Sequence, residues 1–471
     1  MFKRIFISSL VVTLVASLPI YDRVCELEEM PDLSFGLYSG YIPIRNGTFK
    51  MHYITALSQS DPNNDPVVFW FNGGPGCSSL LGFAQENGPY ILSDEPGATF
   101  QYNNYSWNKE ATVVYLSFPI GVGFSFPCDL NNTTGDCISS DTSTASDNLN
   151  AIITFFTLKF PELLSNPLYI SGESYAGIYI PYLMREIDNY LHTSLNPLPL
   201  NLKGMLIGNG LSSYQWDCIP AFLDMAVYHN LMDEELHKRV SESCTWRDLM
   251  VKSAVGNAKC DLYFDEWMEQ IDKLNIYDIY SYCEQSEGNR MTMYESDSMG
   301  KQSKRRGYTD WLQDWIPKSI VGKGLPQCEQ GLGVDAYFNR PSVREQLHID
   351  PTFTQKWEMC SSNLQYHQDF LGAVSIYPQL KKSGYRILLF SGDRDGAVPT
   401  LGTKRWLQNE LKWDLVERQR PYYVNRQLGG YIIEYDGLTL GTIHGAGHMA
   451  PVLRPRETYH LIFNWIQNKT I

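Results

Sequence analysis

Runs of consecutive apolar residues recur near both ends of the chain, and segments in which apolar residues have helical spacing separate them. Strands covered on both faces are apolar at every position, so these runs predict buried strands. Their alternation with helices is typical of a sheet that has helices on both faces. The sequence therefore predicts an α/β fold, with strands at residues 67–71, 113–118, 168–171, 205–208 and 386–390.

A crossover helix is predicted between the second and third of these strands, with Ser140 or Asp141 placed to cap its first turn. Residues 430–443 are predicted to form two strands joined by a turn at Asp436-Gly437, and residues 456–466 a closing helix. The apolar residues at helical spacing in the crossover helix are Ala145, Leu149, Ile152, Ile153 and Phe156.

The middle of the chain, approximately residues 211–365, interrupts this alternation. It holds six of the ten cysteines, many charged residues, and amphipathic helical patches at 233–243 and 264–274. Because 471 residues exceed what one core usually holds, we predict one large α/β domain that carries this segment as an inserted, mainly helical cap. The basic run at residues 301–306 is either a solvated loop or a proteolytic processing site.

The N-terminus predicts a cleaved secretory signal peptide. Lys3 and Arg4 precede an apolar run, and small residues around Ser17 suit signal peptidase, which assigns residues 1–17 to the signal and 18–471 to the mature chain. A membrane anchor is the alternative, but about fourteen apolar residues fall short of the roughly twenty that span a bilayer. No later run is long enough to span a membrane, so we expect no membrane association after signal removal.

The composition agrees with an oxidising compartment. The ten cysteines favour disulfides, and none has the C-x-x-C spacing of a structural zinc site. No metal or cofactor motif is recognisable, and a net charge of −14 argues against a nucleic-acid partner. The candidate glycosylation sites are Asn46, Asn104, Asn131, Asn132 and Asn468.

The sharpest chemical motif is Gly172-Glu-Ser-Tyr-Ala-Gly177, which follows the strand at 168–171 and leads into a helical pattern. A strand, a tight turn, a serine and a helix form the nucleophile elbow of α/β-hydrolases, which presents the serine hydroxyl at the edge of the sheet. The strict G-x-S-x-G pattern is not met, because Ala176 occupies the second glycine position. Ser174 is therefore a candidate nucleophile.

A serine nucleophile needs a base, and the base needs an acid that fixes its tautomer. The loop at 391–399 follows a predicted strand and offers Asp393 and Asp395, while His448 follows the terminal strand. The order Ser, Asp, His is that of α/β-hydrolases. A fourth loop, at 72–79, follows the first strand, and its glycines allow backbone amides to approach a developing oxyanion.

These motifs resemble those of the serine carboxypeptidase family, over nearly the whole mature chain. The resemblance implies an α/β-hydrolase fold with a mixed sheet, and acyl-enzyme hydrolysis of the C-terminal bond of peptides and proteins, favoured at acidic pH. It also implies secretion or a lysosome or vacuole location. The sequence leaves the oligomeric state open, with a homodimer as one alternative. The matching stretches are 70–80, 86–89, 119–125, 172–177, 207–210, 337–341 and 445–449.

The resemblance implies the role of each site residue. Ser174 would be the nucleophile and His448 the general base. Asp395 is preferred to Asp393 as the orienting acid, because the family's acid stands three residues before the Val of a Val-Pro pair, here Val398.

Further roles follow from the same resemblance. The N–H groups of Gly74 and Tyr175 would form the oxyanion hole, and Trp70 and Met449, in two of the matching stretches, would line the substrate pocket.

The resemblance also implies a site for the terminal carboxylate of the substrate, built from Asn72, the Gly73 amide, Glu86 and Glu173. Two neighbouring carboxyl groups cannot both ionise cheaply, and a protonated one can donate a hydrogen bond to a carboxylate. Affinity for peptides is therefore expected to fall as the pH rises toward neutrality.

Two disulfides are candidates. Cys77 and Cys360 occupy positions that resemble a family disulfide, and Cys128 and Cys137 bracket one loop closely enough to pair. Pairing within the cap is left open.

Two alternative functions stay open at this point. An acyltransferase is the first, although that branch tends to carry other residues at positions 173, 176, 446 and 449. The second is a non-catalytic partner that stabilises other lumenal enzymes.

Overall fold

A computed structural model of the chain describes residues 19–30, 32–92, 99–127, 138–250, 256–283, 332–361 and 364–471. Several predicted features lie outside these residues: the signal peptide at 1–17, the basic run at 301–306, Cys128, Cys137, Asn131 and Asn132.

Within the described residues, a mixed sheet of eleven strands forms the centre of the protein. Its order is β1-β2-β3-β7-β4-β9-β10-β12-β15-β14-β13. The strands from β7 to β15 in this order are parallel, and antiparallel pairs extend the sheet at both edges. The predicted α/β fold is confirmed. The strands of this sheet are β1 Arg23–Val24, β2 Leu37–Ile44, β3 Phe49–Ala56, β4 Val67–Phe71, β7 Thr112–Leu116, β9 Leu168–Glu173, β10 Leu202–Gly208, β12 Arg386–Gly392, β13 Leu415–Val424, β14 Gln427–Tyr435 and β15 Leu438–Ile443.

In the described ranges, two small sheets lie outside the central one. Strands β5 (Tyr90–Leu92) and β6 (Phe100–Tyr102) form an antiparallel pair, while β8 (Ile138–Ser140) and β11 (Gln365–His367) pair in parallel.

Helices cover both faces of the central sheet, and the predicted crossover helix is α1. Ser140 caps it by accepting a hydrogen bond from the Ser143 N–H, and the Ser143 hydroxyl receives the Ser140 N–H in return. The helices are α1 Asp141–Thr154, α2 Ala176–Thr193, α3 Ile219–Tyr228, α4 Glu234–Ser243, α5 Trp246–Met250, α6 Ala258–Gln270, α7 Leu332–Phe338, α8 Pro341–Gln346, α9 Tyr377–Lys382, α10 Thr400–Trp406, α11 Ala450–Leu453 and α12 Pro455–Ile466.

The apolar strands alternate between two hydrophobic cores, one on each face. Along β4, Val67, Phe69 and Phe71 belong to one core, and Val68 and Trp70 belong to the other. This alternation explains why the central strands are apolar at every position.

The described part of residues 211–365 is mainly helical. Helices α3 to α6 pack against the first core, and Cys244 and Cys260 form a disulfide that joins the end of α4 to α6. Helices α7 and α8 pack against the second core through residues such as Tyr337 and Phe338. That this segment forms one inserted unit stays a prediction. Among the helices that the structure describes, none combines the length and the apolar character that crossing a membrane requires.

Trp267 provides a test of how helices α3 and α6 pack, because its side chain is fully buried against Phe222 and Phe264. We expect Trp267→Ala to lower the free energy of unfolding by about 3–5 kcal/mol, through lost burial and the cavity left behind. Leu262 lies on the same helix but is 64% exposed, so Leu262→Ala is the matched control. It should change the free energy of unfolding by about 0.5 kcal/mol or less. Urea denaturation followed by circular dichroism measures the unfolding free energy of both variants. Equal effects would contradict the burial of Trp267 between the helices.

Candidate active site

Five loops meet at one edge of the sheet. Strands β4, β9, β10, β12 and β15 are parallel neighbours, so their carboxyl ends lie on the same side. Ligands and catalytic groups of open α/β sheets gather at this edge. The residues that follow these strand ends are Asn72, Ser174, Asn209, Asp395 and His448.

Ser174 occupies a sharp turn between β9 and α2. Its φ is +62°, a left-handed conformation that is uncommon for a residue with a side chain and that suits a nucleophile elbow. The turn is fixed by backbone hydrogen bonds, since the Ser174 N–H donates to the Gly208 carbonyl at 3.0 Å and the Ser174 carbonyl accepts from Leu211 at 3.0 Å. The side chain is partly exposed.

Two glycines allow the close packing that this turn requires. A Cβ at Gly172 would lie 2.1 Å from the Phe71 carbonyl oxygen, and one at Gly177 would lie 2.3 Å from the Leu211 carbonyl oxygen. Ala176 is the first residue of α2 and has an ordinary helical backbone. The departure from G-x-S-x-G at Ala176 therefore costs the turn nothing.

His448 and Asp395 form a buried pair. The His448 Nδ1 lies 2.8 Å from Asp395 Oδ2, and the two side chains are 2% and 0% exposed. Asp395 also accepts hydrogen bonds from the side-chain amide of Asn209 at 2.7 Å and from the N–H groups of Ala397 and Val398 at 2.8 and 3.1 Å.

The competing acid, Asp393, contacts a different histidine. Its carboxylate lies 2.7 Å from His444 Nδ1 and accepts a hydrogen bond from the Gly445 N–H at 2.7 Å. His444 is more than half exposed. The geometry therefore joins Asp395, and not Asp393, to His448.

The loop that follows β4 packs directly on the serine turn. A Cβ at Gly73 would lie 2.6 Å from both the Ser174 Cβ and the Tyr175 N, and Gly74 has a φ of +110°. The predicted disulfide between Cys77 and Cys360 is confirmed. It holds this loop beside residues 359–361, which also pair with it through backbone hydrogen bonds.

A buried amide and two buried carboxyl groups lie beside this loop. The Asn72 side-chain amide donates to Glu86 Oε1 at 2.7 Å and to Glu173 Oε1 at 3.3 Å. Asn72 Oδ1 accepts from the Gly82 N–H and from the Trp70 indole N–H, both at 3.0 Å, which orients the amide. Glu173 is also the residue that precedes Ser174.

The glutamate pair favours protonated carboxyl groups. Burial raises the pKa of Glu86 to about 7, although the hydrogen bond from Asn72 opposes the shift. Burial also raises the pKa of Glu173 well above its usual range, and the negative charge of Glu86 adds to the effect. The pair therefore retains at least one proton at acidic pH.

The two predicted pocket residues have different surroundings. Trp70 is fully buried, and its ring packs edge-on against Trp107 with centroids 5.1 Å apart. It therefore reaches the site through its hydrogen bond to Asn72. Met449 is partly exposed next to His448.

Two residues at the site were given no role by sequence reasoning. Asn209 lies in one of the stretches that match the family and follows a buried strand, and these two features could have identified it. Its side-chain amide donates a hydrogen bond to Asp395, and its side-chain oxygen accepts one from the Gly392 N–H at 2.9 Å. Tyr277 lies in the middle segment that was predicted to form a cap, and no local pattern marks it. Its ring stacks on the His448 imidazole, with centroids 4.5 Å apart and planes inclined by 11°.

Across the described ranges, no group of three or more His, Cys, Asp or Glu side chains has an arrangement suited to a metal ion.

Comparison of the sequence with known proteins identifies the same family that its motifs resemble. The profile of a family described as "Serine carboxypeptidase" matches residues 28–468. The lysosomal protective protein of Mus musculus is 34% identical, over 94% of this chain and 94% of its own length. Serine carboxypeptidase 1 of Hordeum vulgare is 31% identical, over 91% of this chain and 89% of its own length.

A solved structure shares the fold. The crystal structure of Kex1Δp, a prohormone-processing carboxypeptidase from Saccharomyces cerevisiae, superposes with a TM-score of 0.71 at 21% identity. The match covers 96% of this chain and 97% of that one.

The contact between Gly73 and the serine turn can be tested by reaction with a fluorophosphonate. We expect Gly73→Ala to slow labelling of Ser174 by on the order of 10²-fold, because the new methyl group displaces the turn. Mass spectrometry of the labelled peptide over time measures the rate. Gly256→Ala is the control, since its Cβ would meet only Asp261 Oδ2 at 3.6 Å. Equal labelling rates for the two variants would show that the contact between Gly73 and the serine turn does not affect the reactivity of Ser174.

Proposed function

This chain belongs to the serine carboxypeptidase family, and from that premise we propose that Ser174, His448 and Asp395 hydrolyse the last peptide bond of peptides and proteins. The enzyme is a serine-type carboxypeptidase, and peptide C-termini are its substrates.

The proposed reaction passes through an acyl-enzyme. The Ser174 hydroxyl attacks the carbonyl carbon of the scissile bond, while His448 Nε2 takes its proton. The N–H groups of Gly74 and Tyr175 bind the oxyanion, and the imidazolium then protonates the departing amine. Water, activated by His448, hydrolyses the ester. The buried contact with Asp395 supports this role, because it fixes the histidine tautomer and stabilises the imidazolium.

The observation that carries the exopeptidase assignment is the Asn72–Glu86–Glu173 set. Its carboxyl groups are buried and share one amide donor, and their raised pKa values keep at least one of them protonated at acidic pH, so that it can donate a hydrogen bond to a carboxylate. Glu173 directly precedes the nucleophile in sequence and shares the Asn72 amide with Glu86, which supports a carboxylate site beside the bond that Ser174 attacks. A substrate that ends in a free carboxylate fits this arrangement better than an internal segment of chain.

We also propose that the protein enters the secretory route and works in a lysosome, a vacuole or outside the cell. The lysosomal protective protein among the relatives supports this location, as do the disulfides Cys77–Cys360 and Cys244–Cys260. The sequon residues Asn46, Asn104 and Asn468 are exposed, as glycosylation requires.

An acyltransferase is the less favoured alternative. The carboxylate-binding set includes Glu173, and positions 176, 446 and 449 carry Ala, Ala and Met, as expected for a hydrolase of this family. A purely non-catalytic role would leave the buried histidine and aspartate pair without a use.

The proposed function is tested with paired substrates. A peptide with a free C-terminus and the same peptide with a C-terminal amide are incubated at acidic pH, and mass spectrometry follows the products. We expect residues to leave singly from the free peptide, with the amide much more resistant and Ser174→Ala inactive. Equal cleavage of both peptides, internal cuts, or no fluorophosphonate adduct on Ser174 would contradict the proposal.

The glutamate pair predicts how KM depends on pH. A raised carboxyl pKa means that the proton is held below that pKa and lost above it, so KM should rise as the pH increases through about 7, the pKa of Glu86. The double variant Glu86→Gln with Glu173→Gln keeps hydrogen-bond donors that do not titrate, and its KM should be nearly independent of pH.

Glu162→Gln is the matched control, because burial also raises the pKa of Glu162, which lies outside the site. Its KM profile should match that of the unmodified enzyme. A KM that is flat from pH 5 to 8 in the unmodified enzyme would contradict the role of the pair.

A further inference from the structure

One segment of the cap, residues 275–281, contacts the loop that carries the proposed acid; we call it the bridging segment. The Gly396 N–H donates to the Ile276 carbonyl at 2.9 Å, and the Ile279 N–H donates to the Arg394 carbonyl at 3.2 Å. These two hydrogen bonds lie on either side of Asp395. The bridging segment therefore holds the acid loop from both flanks.

The same segment contacts the loop that carries the proposed base. The His448 N–H donates to the Tyr277 carbonyl at 2.7 Å, and the Tyr277 ring lies parallel to the imidazole at 4.5 Å. A Cβ at Gly447 would lie 2.1 Å from the Tyr277 carbonyl oxygen. The base loop therefore contacts the bridging segment directly through its backbone, and no side chain would fit at Gly447.

A partly buried ion pair anchors the bridging segment. Asp278, whose side chain is 3% exposed, pairs with Arg394, which immediately precedes Asp395. The Asp278 carboxylate also accepts hydrogen bonds from the Ser281 hydroxyl at 2.6 Å and the Tyr280 N–H at 3.2 Å. The bridging segment is therefore held by contacts within itself as well as by contacts with the acid and base loops.

We propose that Tyr277 is a positioning residue for His448, through which the cap acts on the reaction. This rests on the proposed role of His448 as general base. The contact with Asp395 holds the imidazole at Nδ1, but a ring held at one atom can still turn about that contact. A parallel aromatic ring fixes the plane of the imidazole, and with it the direction of Nε2.

The stacked ring also suits the charge that develops during the reaction. When His448 takes the serine proton it becomes a cation, and the face of an aromatic ring attracts a cation. The attraction is stronger in the transition state than in the resting enzyme, so it favours kcat without strengthening substrate binding. Both effects need the ring of Tyr277 and not its hydroxyl.

The experiment compares kcat and KM for a peptide substrate in four proteins: the unmodified enzyme, Tyr277→Leu, Tyr277→Phe and Tyr282→Leu. We expect Tyr277→Leu to lower kcat by on the order of 10²-fold, because a small misplacement of a catalytic group has that cost, with KM changed by about twofold or less. Tyr277→Phe should restore kcat to within about threefold of the unmodified enzyme. Tyr282 is 93% exposed on the same stretch of chain, so Tyr282→Leu is the matched control and should behave as the unmodified enzyme.

Three outcomes would overturn the proposal: an unchanged kcat in Tyr277→Leu, a raised KM with unchanged kcat, or a loss of kcat that follows the folded fraction measured by circular dichroism. If Tyr277→Leu does not fold, Asp278→Asn is the second test, since it keeps the Tyr277 side chain but weakens the ion pair that holds the bridging segment, and with it the ring, against His448. A lower kcat at constant KM supports the proposal, and an unchanged kcat overturns it. Failure of the proposed function is distinct, because the unmodified enzyme would then release no C-terminal residues.

Discussion

The buried carboxylate of Asp395 is the constraint on which the rest of the site depends. Removing a charge from water costs several kcal/mol unless hydrogen-bond donors replace the lost water. At 0% exposure Asp395 receives four such contacts: from Asn209 after β10, from two amides of its own loop, and from His448 after β15. Satisfying one charge therefore brings three loops into a single arrangement, and the alignment of the histidine is one consequence of it.

The glutamate pair is also buried, but it has fewer hydrogen-bond donors around it. Glu86 and Glu173 are as inaccessible as Asp395, but they share the single amide of Asn72 and lie beside each other. Burial and mutual repulsion therefore raise the pKa of Glu173 well above its usual range, and burial raises that of Glu86. The site thus contains buried carboxyl groups with very different surroundings, because four hydrogen-bond contacts reach Asp395 whereas Glu86 and Glu173 share one amide.

The sequence predicts best what local pattern determines. The five central strands are covered on both faces, so their apolar runs are visible, whereas edge strand β13 is largely exposed, is rich in charged residues and was not predicted. Ser174 and His448 follow strand ends and were found for that reason. Asp393 and Asp395 share one loop, and residues alone did not separate them; the contacts with His444 and His448 do. Tyr277 was missed because its contact with His448 is purely tertiary.

The proposed oxyanion donors illustrate how separate restraints produce one geometry. Gly74 lies on a loop that the Cys77–Cys360 disulfide ties down, while the Tyr175 hydroxyl donates at 2.8 Å to Asp141, the first residue of α1. Their two loops meet at Gly73, where no side chain fits against the serine turn. Because each amide is fixed before a substrate arrives, little reorganisation is left for the moment when negative charge develops. Preorganised donors of this kind stabilise a transition state far more than water can.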